Sequence, residues 1–215
     1  MSGKLLNNFD AIARLYDTLS FLVFGNTLFK AQLQFLHVIP SGAKILMLGG
    51  GTGALLRKIL KVCPDCTVWY IEASSAMIEI ASKKNNSPVN VRFIHGTESD
   101  IPLQHRFDVV ITNFYFDLFP TDKLGTIIKT ISLSCSSEVR WLVTDFTDPK
   151  NLWQKLLLKI MYRFFRVVCK IEASTIPDWQ GKMDVADFSP QHIKHFYHRF
   201  VVAAAYEKTH QITDV

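Results

Sequence analysis

Apolar residues recur at three- and four-residue intervals from Phe9 to Leu36, the period of helices with one buried face, and Phe24-Gly25-Asn26 is the expected break between two of them. Pro40-Ser41-Gly42 then reads as a turn, and Lys44-Ile45-Leu46-Met47-Leu48 as a short buried strand. Further apolar runs span Thr67 to Ile71, ending at Glu72, then Val91 to His95, Phe107 to Thr112 and Val139 to Asp145. Helical stretches separate them. One runs from Ala54 to Val62, one from a Ser74 or Ser75 cap to Lys84, and one from Pro120-Thr121 towards Ser134. Strands that are apolar throughout and alternate with helices predict an α/β fold, its mostly parallel sheet covered on both faces.

After Pro149 the rhythm changes. One long amphipathic helix is followed by a loop rich in turn residues from Ile176 to Asp187, a helix begun by Ser189-Pro190, and a sixth strand from Val201 to Tyr206. No repeat, low-complexity segment or linker interrupts the chain. The expectation is a single domain over 1–215, with a helical cap at 1–40, a ligand-binding core at 41–149, a cap insertion at 150–190, and a helix and strand at 191–215.

Composition narrows the class. The 215 residues are 48% hydrophobic with a net charge of +5, which supports a full core and excludes intrinsic disorder. Four cysteines are too few for a disulfide scaffold and point to a reducing compartment. No uninterrupted apolar run approaches the roughly 18 residues of a spanning helix. Met1 to Asp10 also lacks the apolar stretch of a secretory signal, so a cytoplasmic domain is expected. The positive charge is local. From Lys150 to Lys170 there are six basic residues and no acidic ones, which leaves −1 for the rest of the chain.

The candidate chemistry begins at Gly49-Gly50-Gly51-Thr52-Gly53, between a buried strand and a helix start. Glycines there allow positive φ and a ligand laid directly on the backbone, and the helix start offers unpaired N–H groups. Gly49, Gly51 and Ala54 also fit the dinucleotide spacing, with Glu72 at a ribose-binding distance. A phosphate-cradling loop is excluded, because no Lys-Ser/Thr follows the glycines.

The wider pattern resembles a class I S-adenosylmethionine methyltransferase. It is carried by Ile45-Leu46-Met47-Leu48-Gly49-Gly50-Gly51-Thr52-Gly53, Glu72 at the second strand end, Phe107-Asp108-Val109-Val110, and His95-Gly96-Thr97-Glu98-Ser99-Asp100-Ile101-Pro102. Phe9-Asp10-Ala11-Ile12-Ala13-Arg14-Leu15-Tyr16-Asp17 is similar to the opening of the ubiquinone/menaquinone C-methyltransferase family. The resemblance implies a Rossmann-like, doubly wound fold and S-adenosylmethionine as cofactor. Its carboxylate and amino end would lie on Gly49 to Gly53, with Thr52 in contact, and its ribose hydroxyls on Glu72 beside Ala73. The adenine edge falls to Thr97 or Glu98, a pocket wall to Asn113, and a closing side chain to Tyr16. Met77 either packs on adenine or belongs to the core. The chain departs from the family at Met47, where an acid is usual, and at Thr97, where Asp is usual.

Methyl transfer from a sulfonium needs alignment and exclusion of water, with a base when the acceptor must lose a proton. Acceptors in this fold sit after the fourth strand, at Thr112 to Phe119, where Asp117 is the candidate base and the Phe and Tyr residues suit a small aromatic or lipophilic acceptor. Two other function classes remain. A nicotinamide-dependent oxidoreductase would need a second half-site that is not found, and a degenerate binding protein is motivated by Met47 and Thr97. Cys63-Pro64-Asp65-Cys66 ends a helix, whereas redox motifs start one, so a connecting turn is expected and no metal site. His192, His195 and His198 read as surface histidines, the first two on one helix face. The cationic helix at 152–170 reads as a cap on the site, with or without peripheral membrane contact; no nucleic-acid motif accompanies it.

Overall fold

The computed structural model describes residues 10, 13, 16–86 and 88–209; of Tyr16 it describes the helical backbone and not the side chain. Strands β1 (Lys44–Leu48), β2 (Thr67–Glu72), β3 (Val91–His95), β4 (Phe107–Asn113), β5 (Cys135–Phe146), β6 (Phe188–Phe196) and β7 (Val201–Lys208) form one sheet in the order β3-β2-β1-β4-β5-β7-β6. The first five are parallel, and β7 runs antiparallel between β5 and β6. Helices α1 (Tyr16–Phe24), α2 (Thr27–Leu33), α3 (Ala54–Val62), α4 (Ser75–Lys84), α5 (Thr121–Ser132), α6 (Leu152–Val168) and α7 (Trp179–Val185) complete it.

The apolar runs are explained by burial on both sides. Leu46, Leu48, Trp69, Ile71, Val110 and Trp141 face α5 and α7, whereas Ile45, Met47, Val68, Tyr70, Val109 and Ile111 face α3. Successive side chains of a strand point to opposite faces, so a strand with two covered faces has no polar position to spare. Strand order reverses at β1, which pairs with β2 on one side and β4 on the other. Ligands in such sheets bind outside the carboxyl ends at this switch point.

The C-terminal third corrects the sequence expectation. Phe188–Phe196, read as a helix from Ser189-Pro190, is an edge strand. Pairing with β7 overrides the Ser-Pro helix signal, and the register shifts between Pro190 and His192, where the missing proline N–H is tolerated. His192 and His195 therefore lie on opposite faces of a strand, and His198 sits in the hairpin turn. Tyr197, His198 and Arg199 all adopt left-handed φ there. The segment expected to be loop also contains α7. Asp178 accepts from Gly181 N (3.0 Å), and Trp179 and Met183, four apart, are buried. β5 starts at Cys135, four residues before the apolar run.

Candidate active site

The glycine loop leaves β1 at the switch point, and each glycine has its own reason. Gly49, Gly51 and Gly53 have φ of 65°, 63° and 78°. At Gly50 a Cβ would lie 2.2 Å from the Tyr70 ring, and at Gly53 2.8 Å from Ala81 Cβ. At Gly51 it would meet nothing within 4 Å. The loop is thus packed on protein below and open above Gly51.

Two side chains of β2 hold it there. Tyr70 donates to the Gly51 carbonyl (2.7 Å), and the buried Glu72 accepts from Gly51 N (2.9 Å) and Ser74 N (3.0 Å). Burial pushes the Glu72 carboxyl up, while the amides of Gly51, Ser74 and Ala73 pull against it. Each oxygen retains capacity for a second donor. Met47, at the position where the family has an acid, packs in the core against the α3 side. The loop-anchoring carboxylate is therefore supplied from β2.

Two acids from the N-terminal part of the chain reach this rim. Ser74 Oγ and the Ala76 N–H both donate to Asp10 (2.5 and 3.1 Å), while the Ser74 hydroxyl accepts from Met77 N (3.1 Å), so two side chains cap α4. Thr52 donates to Asp17 (2.7 Å), and Lys84 reaches both (3.2 and 3.4 Å). Asp10 and Asp17 are the two acids of the family-like opening. The side chain of Tyr16 lies outside the described residues.

Opposite, Thr97 caps the 3-10 turn Glu98–Asp100, donating its N–H to Asp100 (2.8 Å) and accepting from Ser99 N (3.3 Å). Glu98 instead accepts from the Tyr115 hydroxyl (2.8 Å), and the Tyr115 ring packs on Gly49. The two adenine-edge candidates therefore differ: Thr97 is engaged in its own turn, and Glu98 faces the glycine loop through Tyr115. The Ala73 carbonyl lies 3.0 Å from His95 Nε2. Met77 is buried without joining either sheet-face cluster. Asn113, at the tip of β4, has a buried Nδ2 with no described partner.

Beyond β4, Asp117 sits in the 3-10 turn Phe116–Leu118 beside Asp145 of β5. Asp145 is fully buried, accepting from Tyr115 N (3.3 Å), Phe116 N (2.9 Å) and Phe146 N (2.7 Å). Asp117 Oδ1 is buried with no described partner. Burial pushes the Asp117 carboxyl up to about 7, and burial plus the Asp117 charge raises Asp145. Tyr162 of α6 donates to the Asp117 carbonyl (3.1 Å), and Gln154 donates to the His198 carbonyl (3.2 Å), which ties α6 to the turn after β4 and to the β6–β7 turn.

Cys63-Pro64-Asp65-Cys66 forms the turn between α3 and β2, with the Cys63 thiol 3.2 Å from the Pro40 carbonyl. Burial, then Cys63, pushes the Cys66 thiol up to about 12; burial takes Cys135 to about 12 and Cys169 to about 11. All four thiols are free and buried. At pH 8, fewer than one per chain is expected to react with a thiol-specific disulfide reagent within minutes, and all four after denaturation; rapid labelling of two in the native state would contradict this.

Sequence reasoning missed Tyr70, Lys84 and Tyr162 as site residues, and it read Tyr115 as part of an acceptor wall, without its bond to Glu98. Only Tyr70 left a signal, a polar-tipped residue two before Glu72 and hence on the same face of β2.

This strand order, with a glycine loop at the switch point and an acid ending β2, defines the class I S-adenosylmethionine-dependent methyltransferase fold. Residues 45–136 match the family described as a methyltransferase domain. The demethylmenaquinone methyltransferase of Thermotoga maritima is 32% identical over 126 residues, covering 55% of this chain and 54% of its own. The malonyl-[acyl-carrier protein] O-methyltransferase of Halalkalibacterium halodurans is 37% identical over 89 residues, covering 39% and 33%. The chain thus spans from a third to about half the length of these curated relatives. Among solved structures, the 1,6-didemethyltoxoflavin-N1-methyltransferase of Burkholderia thailandensis, with bound S-adenosylhomocysteine, superposes with a TM-score of 0.67 at 14% identity, covering 94% and 87%. A methyltransferase of Aquifex aeolicus gives 0.62 at 14% identity, covering 92% and 97%.

Proposed function

We propose that this chain transfers a methyl group from S-adenosylmethionine to a small lipophilic acceptor. The observation that carries the reading is the loop itself: open above Gly51, anchored by a buried carboxylate with spare acceptor capacity, and flanked by Asn113, whose Nδ2 has no partner among the described residues. This donor set fits the cofactor. An amino-acid end needs N–H groups and no lysine, and a ribose diol needs a paired acceptor, which Glu72 is. Gly49 to Gly53 and Thr52 would hold the amino-acid end, Glu72 and Ala73 the ribose, Glu98 and Met77 the adenine, and Asn113 the wall towards the acceptor.

S-Adenosylmethionine supplies a methyl already activated on a sulfonium. The chain's own work is to orient the acceptor, keep water out and take up a proton where one is released. Phe114 packs against Phe146 and Tyr115 against Phe119, and Phe24 and Phe200 belong to the same apolar cluster as Phe114 under α6. These favour a lipophilic acceptor, and the relative named for demethylmenaquinone agrees with that. The half-buried Asp117, its Oδ1 enclosed, is the group assigned to receive the proton in this reading.

Calorimetric titration with S-adenosylmethionine, S-adenosylhomocysteine and NAD tests the reading. Saturable binding of the first two and not the third is expected; tight NAD binding, or binding of none, would sink it. Replacing Glu72 by alanine is expected to weaken S-adenosylhomocysteine about 10- to 100-fold, the loss of a charge-assisted pair of hydrogen bonds.

A further inference from the structure

Helix α6 is apolar on two sides. At about 100° per residue, its inner sector is turned to the protein, where Gln154 and Tyr162 are buried and Leu158 and Met161 partly so. Lys155, Lys159, Arg163 and Arg166 form a second, exposed sector, spaced by four, four and three, and the exposed Lys170 follows just past the helix end with a left-handed φ of 54°. Leu152, Leu156, Ile160, Phe164 and Val167 form a third beside it, with Leu152 83%, Leu156 61%, Ile160 57% and Val167 73% exposed. A helix that only caps a site would present polar residues outward.

The apolar stripe continues beyond the helix. The Tyr197 ring lies 5.5 Å from Trp153 of α6 and 5.0 Å from Phe24 of α1, and its hydroxyl donates to the Val23 carbonyl (3.1 Å). On α1, Phe21 is 56% and Leu22 73% exposed. Neither the four cations of α6 nor Lys170 beyond it makes an ion pair with a described residue.

We propose that this face is an interfacial docking surface for an anionic phospholipid bilayer. Charge complementarity decides the occupant. A second copy would set one +6 segment against another, and an acidic peptide would satisfy the cations while leaving the parallel apolar row in water. A bilayer surface offers phosphates and acyl chains side by side, as the two sectors require. The inference goes beyond methyl transfer and does not depend on it.

The test is co-sedimentation of the full chain with vesicles of phosphatidylcholine containing about 30% phosphatidylserine, against pure phosphatidylcholine. Wild type is expected to sediment with the anionic vesicles, and its Trp emission to shift to the blue. Trp153 is the exposed tryptophan that would report this, since Trp69, Trp141 and Trp179 are buried. Changing Lys159, Arg163 and Arg166 to Glu should lower partitioning by about 100-fold or more, and Leu156→Ser with Ile160→Ser by about tenfold. An unchanged melting temperature verifies that both variants fold. The proposal is overturned if wild type stays in the supernatant, if the serine variant binds as well as wild type, which would mark a simple polyanion site, or if the face instead mediates self-association that Leu156→Ser abolishes.

Discussion

Replacing Asp117 by asparagine is expected to make the protein more stable at pH 8 and, at the same time, much less active. The residue is half-buried, its enclosed Oδ1 has no described hydrogen-bond partner, and burial pushes its pKa up to about 7. A carboxyl whose folded pKa exceeds its unfolded value binds protons more tightly in the native state. Stability is then greatest below the unfolded value near 4 and is lost as pH rises through 7. Coupling to Asp145 spreads that loss over the pair, so 2 to 4 kcal/mol is the order of magnitude for the whole transition. At roughly 2–4 °C per kcal/mol for a chain of this size, wild type should melt about 5 °C or more lower at pH 8 than at pH 5, and the asparagine variant should recover most of that difference. If Asp117 also takes the acceptor's proton, turnover should fall about 10²- to 10⁴-fold in the same variant. Thermal melts of both proteins at the two pH values, with single-turnover methylation, test both halves. A variant that melts as wild type does at each pH would remove the buried proton from the account. Asp145→Asn should behave oppositely and destabilise, because its two oxygens accept from three backbone amides that an amide nitrogen would confront.

The second large effect concerns two glycines two residues apart. Gly53→Val places a branched side chain at φ 78° with its Cβ 2.8 Å from Ala81 Cβ and 2.9 Å from the Ala81 backbone. Left-handed strain and overpacking together should cost about 3–5 kcal/mol, a melting temperature lower by roughly 10 °C. Gly51→Ala carries the strain without the clash, about 1–2 kcal/mol, and it points a methyl into the open space above the loop. Its expected signature is therefore lost S-adenosylhomocysteine binding in a protein that still melts cooperatively. Equal affinity in this variant and in wild type would show that the space above Gly51 is not where the cofactor lies.

Legibility in the sequence followed the range over which each feature is determined. Ile45 to Leu48 and Val109 to Ile111 announced a doubly covered sheet because each strand carries its own burial pattern. Gly49 to Gly53 and Glu72 announced a site because a strand-to-helix turn has few solutions. Ser189-Pro190 misled because its local helix signal yields to pairing with β7, a partner that lies further along the chain. The Asp117–Asp145 pair was not legible as a pair. It exists because β5 lies beside β4 in the sheet, so that the turn following one strand meets the tip of another. Likewise, Glu72 was readable as an acceptor but not as the anchor of Gly51, a role that Met47 had left vacant at its own position.

Pro190 has one more consequence. β6 is the last strand of the sheet, and Gln191, His192, Ile193, Lys194 and His195 are all exposed along it. Such an edge invites other chains to add strands, in aggregation as in amyloid. Here a proline removes one donor, the register shift beside it bends the strand, and Lys194 places a charge where an incoming strand would lie. The residues that disguise this strand as a helix in the sequence are the ones that keep it from being extended.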